Sequence, residues 1–118
     1  MKQGVAFLTI LFLSAAMAAY GQAPARIGAD KCKLCHKVEF SSWQKSKHAE
    51  TQVGCEDCHG AGSNYKTMAI MKDKAKAIAA GLVVPAENEC KSCHAKRSVK
   101  VANYADAITR VHDKKPKS

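Results

Sequence analysis

The pattern Cys-x-x-Cys-His occurs three times in this chain and constrains its fold more than any other feature. It spans residues 32–36, 55–59 and 90–94, and it contains all six cysteines of the sequence. Two thiols three positions apart can each form a thioether with a vinyl group of one porphyrin, and the histidine that follows can ligate the iron. The pattern therefore predicts three covalently attached haem c groups. The expected thioether residues are Cys32, Cys35, Cys55, Cys58, Cys90 and Cys93, and the expected proximal iron ligands are His36, His59 and His94.

A Cys-x-x-Cys pair alone is less specific. Such pairs also occur in redox dithiols and zinc sites, and six cysteines of an exported chain can form a disulfide framework. A zinc ribbon and a disulfide framework are therefore the two alternatives. Histidine is scarce, with five among 118 residues, and yet a histidine follows every cysteine pair. This coincidence favours haem.

The first residues have the pattern of a signal peptide. Met1-Lys2 gives a positive start, residues 5–16 are an apolar segment too short to span a membrane comfortably, and Ala16-Met17-Ala18 resembles a cleavage site. We expect residues 1–18 to be removed on export, with an uncleaved N-terminal anchor as the alternative. The mature protein is then expected in the periplasm or another extracytoplasmic space, where haem is joined to cysteine.

The remaining chain divides into three expected parts. Residues 19–29 form a flexible lead-in, residues 30–113 the haem-binding domain and residues 114–118 a basic tail. Only four aromatic residues lie within the domain, so a core made of side chains alone would be marginal. We therefore expect a mainly α fold, a small helical multihaem cytochrome c wrapped around a stack of three haems, with few or no strands. The chain without haem is not expected to fold stably.

Helix signals recur between the motifs. Asp30 is a possible N-cap for a helix that carries the first motif and continues towards His48. A second helix is expected over residues 72–80, with Asp73 near its start and Gly81 as its stop. Asn103 is a possible cap for a final helix from residue 104 to residue 111.

The number of histidines does not match the number of haems. Three haems with two histidine ligands each need six histidines, and the chain has five. We expect His48 and His112 to be distal ligands, which leaves one haem without a distal histidine. Met71 or Met68 is a possible thioether ligand there, although packing is the commoner role of such a methionine pair. Alternatively, another subunit supplies the ligand, or the position stays open.

The large net positive charge of the chain is weak evidence for a nucleic acid partner, because the haems would offset most of it. The formal charge is +9, and without Lys2 the mature chain has 18 basic and 10 acidic residues, or +8. Six haem propionates reduce this to about +2, so we expect no nucleic acid partner. Membrane contact is expected only through a partner or an uncleaved signal, and an oligomer is possible. Basic residues that crowd the last third of the chain could steer an acidic redox protein, with a solvated tail as the alternative: Lys91, Lys96, Arg97, Lys100, Arg110, Lys114, Lys115 and Lys117.

Residues around the first two motifs form a longer pattern. The first motif is followed by Phe40, Trp43, Ser46 and His48-Ala49, and the second reads Cys55-Glu56-x-Cys58-His59-Gly60-Ala61-Gly62-Ser63. With the third motif and a closing histidine, residues 32–112 resemble the multihaem c-type cytochromes related to the tetrahaem electron carrier of ammonia-oxidising bacteria. The resemblance implies that His48 and His112 are distal ligands and that the haems stack in closely spaced pairs.

The chain also departs from that family. It has three motifs rather than four, Ala61 stands where the family often has proline, and Tyr65 stands near the place of a histidine in some members. Tyr65 as a ligand is a minor alternative. From the motifs and the resemblance we expect an electron carrier rather than an enzyme, passing single electrons between respiratory redox partners. The alternatives are an enzyme with an open haem that reduces a nitrogen oxide or peroxide, and a subunit of a haem-stacking filament.

Overall fold

The computed structural model describes residues 22–113. The expected signal peptide (residues 1–18) and basic tail (residues 114–118) lie outside the described residues. Helices make up 52% of residues 22–113, and no strand occurs among them, which confirms the expectation of a mainly α fold. Within this range the elements are α1 Ala29–Lys33, α2 Lys37–Trp43, α3 Lys47–Glu50, α4 Cys55–His59, a 3₁₀ turn Gly62–Asn64, α5 Met68–Met71, α6 Lys74–Ala79, α7 Glu87–Lys96 and α8 Tyr104–Ala107.

None of the helices in the described range has the length and apolar character needed to cross a bilayer. The longest, α7, has ten residues.

The helix expected from Asp30 to His48 is in fact three short helices. Gly28, with φ of +84°, precedes α1 as its N-cap, so Asp30 lies in the first turn and not at the cap. The backbone of His36 is not helical (φ −108°, ψ 54°), and this break separates α1 from α2. Ser46 then starts α3 by accepting a 3.3 Å hydrogen bond from the Ala49 amide. The breaks turn the chain, so His48 does not lie on the same straight helix as His36.

Two of the expected caps are present in the second half of the chain. Asp73 Oδ1 accepts a 3.1 Å hydrogen bond from the Lys76 amide at the start of α6, and Gly81 (φ +105°) lies just beyond the end of this helix. Asn103 Oδ1 accepts a 3.2 Å bond from the Asp106 amide at the start of α8. Helix α8 ends at Ala107, four residues earlier than expected.

Few apolar side chains are buried in the described part of the chain. They are Phe40, Val53, Tyr65 and Ala77. The rings of Phe40 and Trp43 pack with centroids 5.5 Å apart, and Trp43 Nε1 donates a 2.9 Å hydrogen bond to the Val53 carbonyl. These contacts join α2 to the loop before the second motif. The large apolar side chains that are exposed include Leu34, Val38, Met68, Ile78, Val83, Val84 and Val99.

Glu56 is the one buried charged residue within residues 22–113. Its Oε1 accepts hydrogen bonds from the amides of Gly62 (2.7 Å) and Ile27 (2.8 Å), and its Oε2 accepts one from Gly28 (2.9 Å). The segment treated as a flexible lead-in therefore has backbone contacts with the second motif. Since Gly28 caps α1, Glu56 also fixes the start of the helix that carries the first motif.

Candidate haem-binding site

The first motif lies across the break between α1 and α2. Cys32 is in α1, Cys35 follows it in a turn, and His36 is the N-cap of α2. The side chain of His36 is 46% exposed, and its Nδ1 lies 3.9 Å from Oε2 of Glu39, one turn further along α2. A carboxylate thus faces the ring nitrogen that is left over when Nε2 ligates iron.

The second motif coincides with one helix, since α4 begins at Cys55 and ends at His59. The carbonyl of Val83 lies 3.0 Å from Nδ1 of His59, and the Val83 amide donates a 2.9 Å bond back to the His59 carbonyl. A carbonyl only accepts hydrogen bonds, so Nδ1 of His59 carries the proton and the lone pair of Nε2 is available. This is the tautomer that an iron ligand needs.

The third motif lies entirely within α7, so its two thiols are three positions apart on one helix face. Nδ1 of His94 is the only buried side-chain nitrogen or oxygen in the described range without a hydrogen-bond partner. The ring of Tyr104, at the start of α8, meets the His94 ring edge-on with centroids 5.8 Å apart. The three proximal histidines therefore differ in what faces Nδ1: a carboxylate, a carbonyl and no protein acceptor.

His48 and His94 form the first of two histidine pairs. Their ring centroids lie 5.9 Å apart and their planes are nearly perpendicular, at 86°. Burial lowers the pKa of His48, with smaller contributions from the charges of His94 and Arg97. His48 is therefore a neutral imidazole at neutral pH, with a lone pair that can ligate a metal.

His59 and His112 form the second pair. Their ring centroids lie 6.3 Å apart with an interplanar angle of 43°. Nδ1 of His112 lies 2.8 Å from the Asp113 carbonyl, and the Asp113 amide donates a 2.9 Å hydrogen bond to Oγ of Ser42 in α2. Burial lowers the pKa of His59, partly offset by the bond to Val83, and His112 and His36 lower it further. His36 is thus close enough to His59 to affect its charge.

Both pair distances fit two ligands of one haem iron. A metal–imidazole bond is about 2 Å long and the ring centroid lies about 1 Å behind the ligating nitrogen, so imidazoles on opposite sides of one metal ion have centroids about 6 Å apart. The observed 5.9 and 6.3 Å agree with that value. Each pair joins one proximal histidine with one of the two expected distal histidines.

The cysteines of successive motifs affect one another's pKa. Burial, with a smaller effect of the adjacent Cys55 thiol, raises the pKa of Cys32 to about 11. Burial also raises the pKa of Cys58, with added charge effects of Cys90, Asp57 and Cys93. The first two motifs are in contact, since α1 packs against α4. The six cysteines form no disulfide, and no group of three or more histidine, cysteine or acidic side chains in residues 22–113 has the arrangement of a metal site. A haem iron does not require such a group, because it takes four ligands from the porphyrin and at most two from the protein.

The other possible ligands have different surroundings. Met68 and Met71 lie on α5, where Met68 is 59% exposed and Met71 is half-buried. Tyr65 is buried, and its hydroxyl donates to the carbonyls of Gly60 (2.6 Å) and His59 (3.1 Å). Burial, followed by the charges of Cys32, Glu56 and Cys55, raises the pKa of Tyr65 to about 12. The phenol therefore stays protonated and serves as a hydrogen-bond donor rather than a phenolate ligand.

Three residues with a part in the site were not identified from the sequence. Glu39 stands three positions after His36, and on a helix this spacing alone would have placed them together. Glu56 was noted only as part of the family resemblance, and no sequence signal marked it as buried, since the neighbouring Asp57 also lies between the two motif cysteines and is more exposed. Val83 acts through its backbone carbonyl, for which no side-chain pattern gives a signal.

The comparisons with known proteins found no match: no family model, no curated protein and no solved structure is similar to this chain at a significant level. The function is therefore argued from the residues and the geometry of the site.

Proposed function

We propose that the protein is an exported trihaem c-type cytochrome that transfers single electrons between redox proteins. The observation that carries the proposal is the presence of two histidine pairs, His48 with His94 and His59 with His112, at the separation of two imidazoles bound to one iron. Each pair contains a histidine from a Cys-x-x-Cys-His motif, which is also where the porphyrin would be covalently attached.

The residues have distinct roles in this proposal. The bound haems supply reversible one-electron chemistry at iron. The six motif cysteines hold the porphyrins, His36, His59 and His94 are the proximal ligands, and His48 and His112 are the distal ligands. Backbone carbonyls orient two of these rings, since Val83 accepts from His59 and Asp113 from His112. Such partners fix the tautomer and raise the basicity of a ligand, which lowers the reduction potential of its metal.

The proximity of the motifs supports transfer within one chain. Helix α1, which carries Cys32, packs against α4, which carries Cys55 and Cys58. Cys90 and Cys93 are close enough to Cys58 to affect its pKa. Porphyrins attached to these cysteines would lie near one another, which is consistent with the expectation of closely spaced haems.

The distribution of apolar surface also supports a porphyrin core. Leu34 is 70% exposed within the first motif, and Val83 and Val99 are exposed next to the second and third motifs. Val99 donates its amide to the carbonyl of His94, as Val83 does to that of His59. Burial of such side chains against a porphyrin face stabilises the fold, since each buried aliphatic side chain contributes about 1.5–3 kcal/mol.

A redox protein with an acidic surface remains the expected partner. Two of the basic residues in the last third already form ion pairs, Lys91 with Glu87 and Arg110 with Asp106, each at 2.7 Å. The steering charge is therefore ascribed to Lys96, Arg97 and Lys100, which are exposed on and after α7.

The two histidine pairs also bear on the alternative that the protein is a subunit of a haem-stacking filament. Four of the five histidines are used within the chain and the fifth, His36, is a motif histidine. A neighbouring copy therefore has no spare histidine to donate unless one of its own pairs opens. The pairs thus favour a single-chain carrier over a filament held by shared histidines.

The test is the haem content of protein exported by a cell that attaches haem c. We expect three haems per chain from the pyridine haemochrome spectrum, and an intact mass equal to that of residues 19–118 plus three haems. The matched variant Cys90→Ala/Cys93→Ala is expected to retain two. Mature protein that carries zinc or disulfides and no haem would overturn the proposal.

A further inference from the structure

We infer that the first haem, held by His36, is the one that binds a small exogenous ligand, and that Glu39 strengthens its iron–histidine bond. The ligand class is a neutral diatomic molecule that binds ferrous haem, such as carbon monoxide or nitric oxide. The inference rests on the proposed function, and it assigns the incomplete coordination to one haem of the three.

The pairing of the other histidines identifies this haem. The count of five histidines leaves one haem without a distal histidine but does not tell which. With His48 next to His94 and His112 next to His59, the remaining proximal histidine is His36. Its side chain is also 46% exposed, whereas the four paired histidines are each only partly exposed, so water and small solutes reach His36 more easily.

Glu39 distinguishes the proximal side of the same haem. Its Oε2 lies 3.9 Å from Nδ1 of His36, whereas the acceptor next to Nδ1 of His59 is the neutral carbonyl of Val83. At 3.9 Å the contact is too long for a hydrogen bond, so Glu39 acts through its negative charge, which gives the imidazole more anionic character and strengthens its bond to iron. In a five-coordinate ferrous haem this raises the frequency of the iron–histidine stretching vibration.

The first experiment counts ligand sites with carbon monoxide. Reduced wild-type holoprotein is expected to bind one carbon monoxide per three haems. His112→Ala opens a second site and is expected to bind two per chain, and His48→Ala is its matched counterpart for the other pair.

The second experiment tells which haem is open. Resonance Raman spectra of the reduced protein show an iron–histidine stretching band only for five-coordinate haem. We expect Glu39→Gln to move this band to lower wavenumber, because the substitution removes the negative charge that lies beside Nδ1 of His36. Glu87→Gln is the matched control, since Glu87 lies in the first turn of α7 and pairs with Lys91. It is expected to leave the band unchanged.

The outcomes separate this inference from the proposed function. Three haems that are all low-spin and do not bind carbon monoxide would overturn the inference and leave the electron carrier standing. A band that is unmoved by Glu39→Gln would place the open site at another haem, which also overturns it. Absence of haem would instead overturn the proposed function.

Discussion

The imidazole rings of His48 and His94 meet at an angle of 86°, while those of His59 and His112 are inclined by only 43°. The relative orientation of two axial imidazoles sets the splitting of the iron d orbitals, so in the proposed trihaem cytochrome the two pairs define two electronically different sites. This difference makes each site recognisable in a spectrum of the oxidised protein.

We expect two low-spin electron paramagnetic resonance signals from the oxidised holoprotein. The perpendicular pair should give the signal with the larger g anisotropy, and the inclined pair the more rhombic one. His48→Ala is expected to remove only the first and His112→Ala only the second. Loss of the rhombic signal in His48→Ala would contradict the pairing in the structure.

Glu56 is expected to make stability depend on pH. Burial alone would raise its pKa, but hydrogen bonds from Gly62, Ile27 and Gly28, with the nearby charge of Arg26, lower it below its ordinary value of 4.5. The stabilisation is therefore present above pH 4.5 and is lost as the pH falls through the lower folded-state value. At pH 7 we expect Glu56→Gln to cost about 2 kcal/mol, as for hydrogen bonds to a charged group.

The measurement for Glu56 is guanidinium unfolding of the holoprotein followed by circular dichroism. The difference between wild type and Glu56→Gln should shrink as the pH is lowered from 7 to below 4. Glu50→Gln is the control, because Glu50 is exposed and its ion pair with the exposed Lys47 lies at the surface. A difference that does not change with pH would show that the carboxylate charge is not responsible.

Gly60 is expected to tolerate no side chain. Its φ is +79°, and a Cβ there would lie 2.8 Å from the Gly81 carbonyl oxygen. Gly60→Ala should destabilise the fold by about 1–3 kcal/mol through backbone strain and this contact. Gly54, at the other end of α4, has φ of −92° and room for a Cβ, with the nearest atom at 3.7 Å. Gly54→Ala is therefore the control, and equal midpoints of unfolding for the two variants would contradict the expectation.

Tyr65 is expected to act in folding and not in iron ligation. Tyr65→Phe removes the hydrogen bonds to Gly60 and His59 and should cost about 1 kcal/mol, measured as a lower thermal midpoint. The visible and paramagnetic resonance spectra should be unchanged. A new high-spin signal in Tyr65→Phe would instead identify the phenol as a ligand.

The starts of two helices could be predicted from the sequence, because they depend on hydrogen bonds between residues that are close in sequence. Asp73 and Asn103 cap their helices because a short polar side chain that precedes a helical segment has few other backbone partners. The break at His36 was not foreseen, since residues 30–43 have no glycine or proline to mark it.

Contacts between residues that are distant in sequence could not be predicted from the motifs and their spacing. The sequence predicted His48 as a distal ligand, but it gave no partner for it. Its contact with His94 depends on how α3 packs near α7, which is set by contacts distant in sequence. The buried position of Glu56 likewise depends on the amides of Ile27 and Gly62, which come from segments before and after α4 and meet at Oε1 of Glu56.

The two histidine pairs interleave along the chain, because His59 lies between the members of the first pair and His94 between those of the second. A cut anywhere from residue 60 to residue 93 would therefore separate both pairs at once. In the proposed ligation, the second and third haems therefore cannot be separated into modules that each keep their ligands. Shortening, duplication or fusion of this protein must keep residues 48–112, which contain both pairs, together as one unit.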